Sequence, residues 1–279
     1  MVKIISDSTC DLSKELIEKY QIDILPLHIH LGEEEFEDGK NITPEKIFAW
    51  SDKNKATPKT SVASIIEVVD LFKQYKGEII CFSISEEMST TANVMRLAAQ
   101  ELEREEEIFI VNSKNLSTGL GLLVIEASVM AMKGKCAKEI VKEIEQMIPK
   151  VRSSFVVDTL TYLHRGGRCS GVAALAGSAL QLHPKISVQN GKMEAGKKYR
   201  GKINKVVMSY VKELEEELKN AKKDRVFITH SGCEKEVVEE VYRFLKELNV
   251  FDEIIETKAG SVISSHCGPS TLGVLYMIK

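Results

Sequence analysis

Residues 78–113, EIICFSISEEMSTTANVMRLAAQELEREEEIFIVNS, decide the fold. Both ends are short runs rich in Ile, Phe and Val, as expected for buried strands, and the residues between them follow a helical period. A strand, a helix and a second strand in this order form a crossover unit, in which the two strands lie parallel in one sheet. Because strand and helix patterns alternate from the start to about residue 150, we predict a parallel α/β sheet there.

Helix ends in this part of the chain carry recognisable signals. Thr43 precedes Pro44, which suits the first turn of a helix, and Ser64 with Glu67 has the spacing of a capping box. A long helix after residue 115 is expected to end at Gly134, because glycine readily takes a positive φ.

The regular alternation of strand and helix patterns changes after Pro149. Asn190-Gly191 predicts a hairpin between two β-like segments, so antiparallel pairing is expected in the second half, and a helix of small residues is predicted over 172–182. We therefore predict two domains: an N-terminal α/β domain with a parallel sheet over 1–150, and a C-terminal α/β domain with a mixed or antiparallel sheet over 151–279.

Composition excludes several classes of function. The 38 basic and 41 acidic residues give a net charge of -3, which offers no electrostatic footprint for nucleic acid. Six cysteines contain no Cys-x-x-Cys pair, which argues against a zinc ribbon and favours reduced thiols in the cytoplasm. Neither a secretory leader nor a transmembrane segment is expected from the apolar runs.

Motifs for chemistry are weak on the residues alone. The nucleophile elbow of hydrolases is missing, and Ser231, which follows a histidine, is predicted to cap a helix together with Glu234. His28 and His30 share one strand face, but the six histidines lack the spacing of a zinc site, so no metal is expected.

Four segments carry candidate binding residues. PKTSVAS (58–64) and SEEMSTTAN (85–93) place hydroxyl groups at helix starts, where a carboxylate or phosphate is favoured, although simple capping remains open. HRGGRCSG (164–171) is a basic turn that could meet an anion, an acidic protein surface or only solvent. GSVISSHCGPS (260–270) contains His266, which could be a base, a metal ligand or a hydrogen-bond donor.

Taken together, these motifs resemble the DegV family, whose members include the fatty-acid-binding subunits of bacterial fatty acid kinase. The resemblance covers nearly the whole chain, and the matching segments are SDSTCDL (6–12), PL (26–27), KTSVAS (59–64), SEEMSTTAN (85–93), DTLTYLHRGGRCSG (158–171) and ISSHCGPSTLG (263–273).

This resemblance implies a function and a site. A long-chain fatty acid would lie between the two domains, and its carboxylate would be met by Thr60, Ser61, Ser89 and His266. The resemblance also implies that Asp7, Ser8 and Thr9 line the same strand end.

Partners are implied in the same way. The chain would present the acid to a separate ATP-dependent kinase, then carry the acyl phosphate to an acyltransferase for phospholipid synthesis, with no cofactor and no catalysis of its own. Arg168 and Arg200 would dock these partner proteins.

The sequence departs from the family pattern at four positions, where it has Ala63, Thr90, Ala92 and Ser270. None of them removes a proposed headgroup donor, but the loss of a large residue at 92 changes the wall that the acyl chain would meet. Two other hypotheses stay open: a hydrolase or small-molecule phosphotransferase with His266 as general base, and a protein-interaction module whose lipid is structural.

Overall fold

The structure is a computed structural model that describes residues 2–170 and 182–279. Its strands are β1 (Lys3–Asp7), β2 (Ile22–Leu25), β3 (His28–Leu31), β4 (Glu34–Glu37), β5 (Lys59–Ser61), β6 (Ile79–Ser83), β7 (Ile108–Asn112), β8 (Val151–Val156), β9 (Cys169–Ser170), β10 (Leu182–Gln189), β11 (Lys192–Arg200), β12 (Ala221–His230), β13 (Glu253–Lys258) and β14 (Leu272–Ile278). Its α-helices are α1 (Lys14–Lys19), α2 (Pro44–Asn54), α3 (Ile65–Lys73), α4 (Thr91–Glu101), α5 (Ser117–Met132), α6 (Ala137–Met147), α7 (Thr161–Gly166), α8 (Ile203–Glu213), α9 (Glu215–Lys219), α10 (Lys235–Glu247) and α11 (Ser261–Cys267).

The parallel sheet predicted for the first half is confirmed. Its strand order is β2-β1-β6-β7, and every neighbouring pair is parallel. Alternate residues of β1 face opposite sides: Ile4 packs in the core under α5 and α6, while Ile5 packs in the core under α3 and α4. The carboxyl ends of β1 and β6 therefore lie side by side, which brings the loops after residues 7 and 83 together.

The predicted helix signals are also confirmed. Thr43 accepts a hydrogen bond from the backbone of the first turn of α2, and Ser64 and Glu67 form a reciprocal capping box at α3. Gly134 follows the last turn of α5 with a φ of +83°.

One sheet was not predicted. The apolar run from Ile22 to Leu31 is divided at Pro26, whose missing N–H cannot continue the sheet. Its second part becomes β3, which pairs antiparallel with β4 and β5. A two-residue turn that begins at Gly32 (φ +67°) closes the β3–β4 hairpin.

The second half contains the expected mixed sheet, with the order β13-β12-β14-β8-β10-β11-β9. The hairpin at Asn190-Gly191 is confirmed, with φ values of +50° and +84°. Tyr210 fixes α8 on this sheet, since its buried hydroxyl donates to the Ser154 carbonyl (2.6 Å) and accepts from the Val274 N–H (3.1 Å). The helix predicted over 172–182 lies outside the described residues, except for Leu182, which begins β10.

The predicted cap at Ser231 is wrong. Helix α10 begins only at Lys235, and Glu234 occupies its N-cap position without a side-chain cap. Ser231 instead donates to the Gly268 carbonyl (2.5 Å) and accepts from the Thr271 N–H (3.2 Å), so it holds the loop that follows α11.

The α/β fold class is confirmed, with the change from the parallel to the mixed sheet between β7 and β8. The largest core cluster nevertheless joins both parts, because α5 packs against β14 through residues that include Leu123 and Leu275. The domain boundary at 150/151 stays a prediction. Within the described residues, no helix has the length and apolar character needed to cross a membrane.

Candidate functional site

A cavity of about 470 Å³ opens where the loops after β1 and β6 meet α11. Its volume lies within the range of about 300–1,000 Å³ that small-molecule pockets usually have. Most of its wall is apolar, and its polar groups come from hydroxyl-bearing residues, one histidine, Glu86 and Arg168. The apolar wall includes Leu27, Ile84, Met88, Leu116, Met193 and Ile263, and the polar part includes Thr9, Thr60, Ser61, Ser89, Arg168 and His266.

Thr60 and His266 are the pair on which the polar end is built. Thr60 lies in the short strand β5 and His266 in the last turn of α11, and their Oγ1 and Nε2 atoms are 2.9 Å apart. A hydrogen bond therefore joins residues that are 206 positions apart in the chain.

The imidazole of His266 is neutral at physiological pH. Burial, and then the positive charge of Arg168, lower the pKa of His266 to about 4. Its Nδ1 is buried and has no hydrogen-bond partner among residues 2–170 and 182–279. We assign the ring proton to Nε2, because a proton on Nδ1 would be a buried N–H group without an acceptor. Nε2 then donates to Thr60, whose own hydroxyl hydrogen can turn toward an acceptor in the cavity.

Gly166 packs against the imidazole of His266 on its Nδ1 side. A methyl group on Gly166 would lie 2.6 Å from Nδ1 of His266, so no larger residue fits there without moving the ring. The backbone of the basic turn thus packs directly on the candidate headgroup histidine.

Ser61 and Ser89 reach the cavity in different ways. Side chains alternate along a strand, so Ser61 points away from Thr60, and its hydroxyl lies 2.9 Å from Nε2 of His30. Ser89 lies in the loop between β6 and α4, and its hydroxyl is 2.8 Å from that of Thr91. All four predicted headgroup residues line one cavity, but only Thr60 and His266 are directly bonded to each other.

The loop that carries Ser89 is held by the second half of the chain. Ser85 donates to the carbonyl of Gly191 at 2.7 Å, so the predicted hairpin turn packs on the start of this loop. A methyl group on Gly191 would lie 2.6 Å from the Ser85 hydroxyl, which explains the close approach.

The SDSTCDL segment contributes one wall residue and a support. Thr9 lines the cavity, whereas Asp7 lies beneath it and accepts from the backbone N–H groups of Thr9 (3.0 Å) and Ile84 (2.7 Å). Ser8 donates to Asp38 at 2.8 Å.

The two arginines differ in position. Arg168 lines the cavity, and its Nη1 donates to the Gly166 carbonyl at 2.6 Å. Arg200 lies exposed at the end of β11 and is not part of the cavity wall.

Several wall residues were missed from the sequence. Val262, Ile263 and Cys267 line the cavity with His266 because they share one side of α11, a helix that the sequence pattern did not predict. Val262 and Ile263 lie four and three residues before His266, a spacing that fits a helical period and was the available signal. Leu116 and Met193 follow loops and carry no periodic signal.

A smaller apolar cavity of about 20 Å³ lies next to the first. The two share Leu116, Ile263 and Cys267 as wall residues. These three side chains therefore lie between the two spaces.

The arrangement fits binding better than hydrolysis. Thr60 and His266 have the distance of a nucleophile and a base, but in the described part of the chain no third group orients the imidazole through Nδ1. The low pKa of His266 also makes it a poor base. No group of three or more metal-binding side chains is found among the described residues.

Comparison with known proteins gives matches over the full length. A family model described as an uncharacterised protein of the DegV family matches residues 1–279. A DegV domain-containing protein of Clostridium perfringens is 30% identical, and the match covers 99% of this chain and 98% of the relative.

Solved structures are similar as well. A DegV family protein from Thermus thermophilus, described by its fatty acid binding, is 26% identical with a TM-score of 0.91 and covers 100% of this chain and 99% of its own. A stearic acid-binding protein from Eubacterium ventriosum is 29% identical with a TM-score of 0.86 and the same coverage.

Proposed function

Because this chain belongs to the DegV family, we propose that it binds one long-chain fatty acid in the cavity between its two halves. The observation that carries the proposal is the His266–Thr60 hydrogen bond in the wall of a mostly apolar cavity. Solved relatives described as fatty-acid-binding proteins support it.

Thr60, Ser61, Ser89 and His266 are the proposed carboxylate ligands. The three hydroxyl groups donate to the acid, and the neutral His266 shares its single Nε2–H between Thr60 and the acid, so these residues supply hydrogen bonds but no charge. A hydrogen bond to a charged group contributes about 1.5–3 kcal/mol. Ser61 would have to turn from His30 to reach the acid, which ranks it below Thr60 and His266.

The acyl chain supplies the larger share of affinity. Burial of about 14 methylene groups at about 0.8 kcal/mol each gives on the order of 11 kcal/mol before the costs of association and ordering. The apolar wall that includes Ile84, Met88 and Ile263 provides the required surface.

We further propose that the protein is a carrier in the cytoplasm. It presents the carboxylate to a separate ATP-dependent kinase and then holds the acyl phosphate for an acyltransferase, while Arg168 and Arg200 dock these partners. In support, Arg168 lines the cavity beside His266 and Arg200 is exposed. The proposed domain boundary at 150/151 places the lipid between two domains.

Native mass spectrometry of the purified protein is expected to show one bound acid of about 14–18 carbons, since the cavity has a volume of about 470 Å³ and a mostly apolar wall. After removal of the lipid, palmitate should restore one equivalent. Hexadecanol is the matched control: it has the same chain but no carboxylate, and it should bind more weakly. Failure to find or to load any acid would refute the proposed function.

Arg200→Ala is expected to keep palmitate binding within about threefold, because Arg200 is outside the cavity wall. Acyl phosphate formation with ATP and the catalytic subunit of a fatty acid kinase should fall by about tenfold or more, as for a residue central to an interface. Arg168→Ala should lower this rate as well. Arg243→Ala removes an exposed arginine on α10 and serves as the control. An unchanged rate in both test variants would contradict the docking role.

A further inference from the structure

Three buried aspartates lie below the cavity and are not explained by headgroup binding. Asp7, Asp11 and Asp38 are 0%, 6% and 3% exposed. In the described part of the chain none of them forms an ion pair. Burial raises the pKa of Asp7 to about 6 and raises the pKa values of Asp11 and Asp38 as well, and neighbouring carboxylates add to the effect at Asp7 and Asp11. Such a cluster is costly to bury.

Two of these carboxylates hold the start of α11. The Oδ1 atom of Asp11 accepts from the backbone N–H of Gly260 at 2.8 Å, and the Oδ1 atom of Asp38 accepts from the N–H of Ser261 at 2.7 Å. Gly260 and Ser261 are the N-cap and the first residue of α11, and Gly260 has no side chain with which to cap the helix. The caps come from residues 249 and 223 positions earlier in the chain.

Each carboxylate is itself fixed by a serine. Ser117, at the start of α5, donates to Asp11, and Ser8 donates to Asp38 at 2.8 Å. Both oxygens of each carboxylate therefore accept a hydrogen bond, so neither carboxylate can rotate freely.

Helix α11, whose start these two aspartates hold, carries four of the cavity residues. Val262, Ile263, His266 and Cys267 all line the cavity, and His266 lies only five residues after the Ser261 amide that Asp38 holds. Because α11 has only seven residues, a shift at its first turn moves the imidazole relative to Thr60.

We propose that Asp11 and Asp38 are positioning residues for acid binding, which act by holding the first turn of α11 so that His266 stays opposite Thr60. The consequence for affinity rests on the proposed fatty-acid function, whereas the position of the imidazole can be measured without any acid.

The test compares Asp38→Ala with Asp38→Asn. Asparagine keeps an oxygen that accepts from the Ser261 N–H, while alanine removes it. With isotope-labelled histidine in lipid-free protein, Asp38→Ala should shift the NMR signals of the His266 imidazole, and it should raise the dissociation constant of palmitate by about 3- to 30-fold, from the usual effect of removing a helix cap. Asp38→Asn should stay close to the unmodified protein in both measurements.

A matched control separates positioning from general destabilisation. Tyr210→Phe also removes buried hydrogen bonds, but Tyr210 does not line the cavity, so it should lower the unfolding midpoint without moving the His266 signals or the palmitate constant. If Asp38→Ala does not fold, Ser8→Ala removes the hydroxyl that donates to Asp38 and that also accepts from the Leu27 N–H (3.2 Å), and it should shift the His266 signals in the same way but by less.

Unchanged imidazole signals in Asp38→Ala or Ser8→Ala would overturn the proposal, and so would an equal effect of Tyr210→Phe on palmitate binding. If the unmodified protein binds no palmitate, the fatty-acid function fails, but the imidazole signals still decide whether Asp38 positions His266.

Discussion

His266→Ala is expected to weaken palmitate binding by about 10- to 100-fold, which corresponds to about 1.4–2.8 kcal/mol. The substitution removes the Nε2 donor and leaves the Thr60 hydroxyl without the partner that orients it. The protein should remain folded, since the Nδ1 atom makes no hydrogen bond to the described residues. Titration calorimetry on lipid-free protein measures the change.

The loss of palmitate affinity in His266→Ala should be the same at pH 6 and at pH 8. The pKa of His266 is lowered to about 4, so the ring is neutral across this range and contributes a hydrogen bond, not a charge. If the imidazole bound the acid as a cation, the loss would be larger at pH 6. His164→Ala, which removes an exposed histidine on α7, should change affinity by less than about twofold. A similar loss in both variants, or none in His266→Ala, would contradict the headgroup role.

Sequence patterns predict the parallel sheet well because each strand and helix in it has its own periodic signal. Strand β6 and helix α4 can be read from residues 78–113 alone. Strand β5 cannot, since Lys59, Thr60 and Ser61 have no apolar alternation and form a strand only by pairing with β3. The family resemblance implies the same role for Thr60 and Ser61. Because side chains alternate along β5, however, Thr60 pairs with His266 and Ser61 pairs with His30.

Helix α11 shows a second limit. SVISSHC contains serines and β-branched residues, which are weak helix formers, and seven residues are too few for a stable isolated helix. In the folded protein Asp11 and Asp38 cap the helix from distant parts of the chain, and its apolar side chains pack in the core. No local pattern can reveal such caps, so the wall residues Val262 and Ile263 were missed together with the helix.

Ile263 is expected to control which acyl chain is preferred. It is 7% exposed and lines both the cavity of about 470 Å³ and the neighbouring one of about 20 Å³. Ile263→Ala enlarges the space at the wall between the two cavities and should move the preference toward longer acids, while Ile263→Phe reduces the space in the larger cavity and should move it toward shorter ones. Each methylene that gains or loses its contact is worth about 0.8 kcal/mol, or about fourfold in affinity, so a shift of two carbons changes the ratio of two acids by about 15-fold.

Competition among saturated acids of about 12 to 20 carbons, read by mass spectrometry of the bound fraction, measures this preference. Val241→Ala is the matched control, because Val241 lies on the fully buried side of α10 and does not line either cavity. It should lower stability without changing the order of preference. Opposite shifts for the two Ile263 variants, with none for Val241→Ala, require that the acyl chain pack against Ile263. Shifts in the same direction, or equal shifts in the control, would contradict this contact.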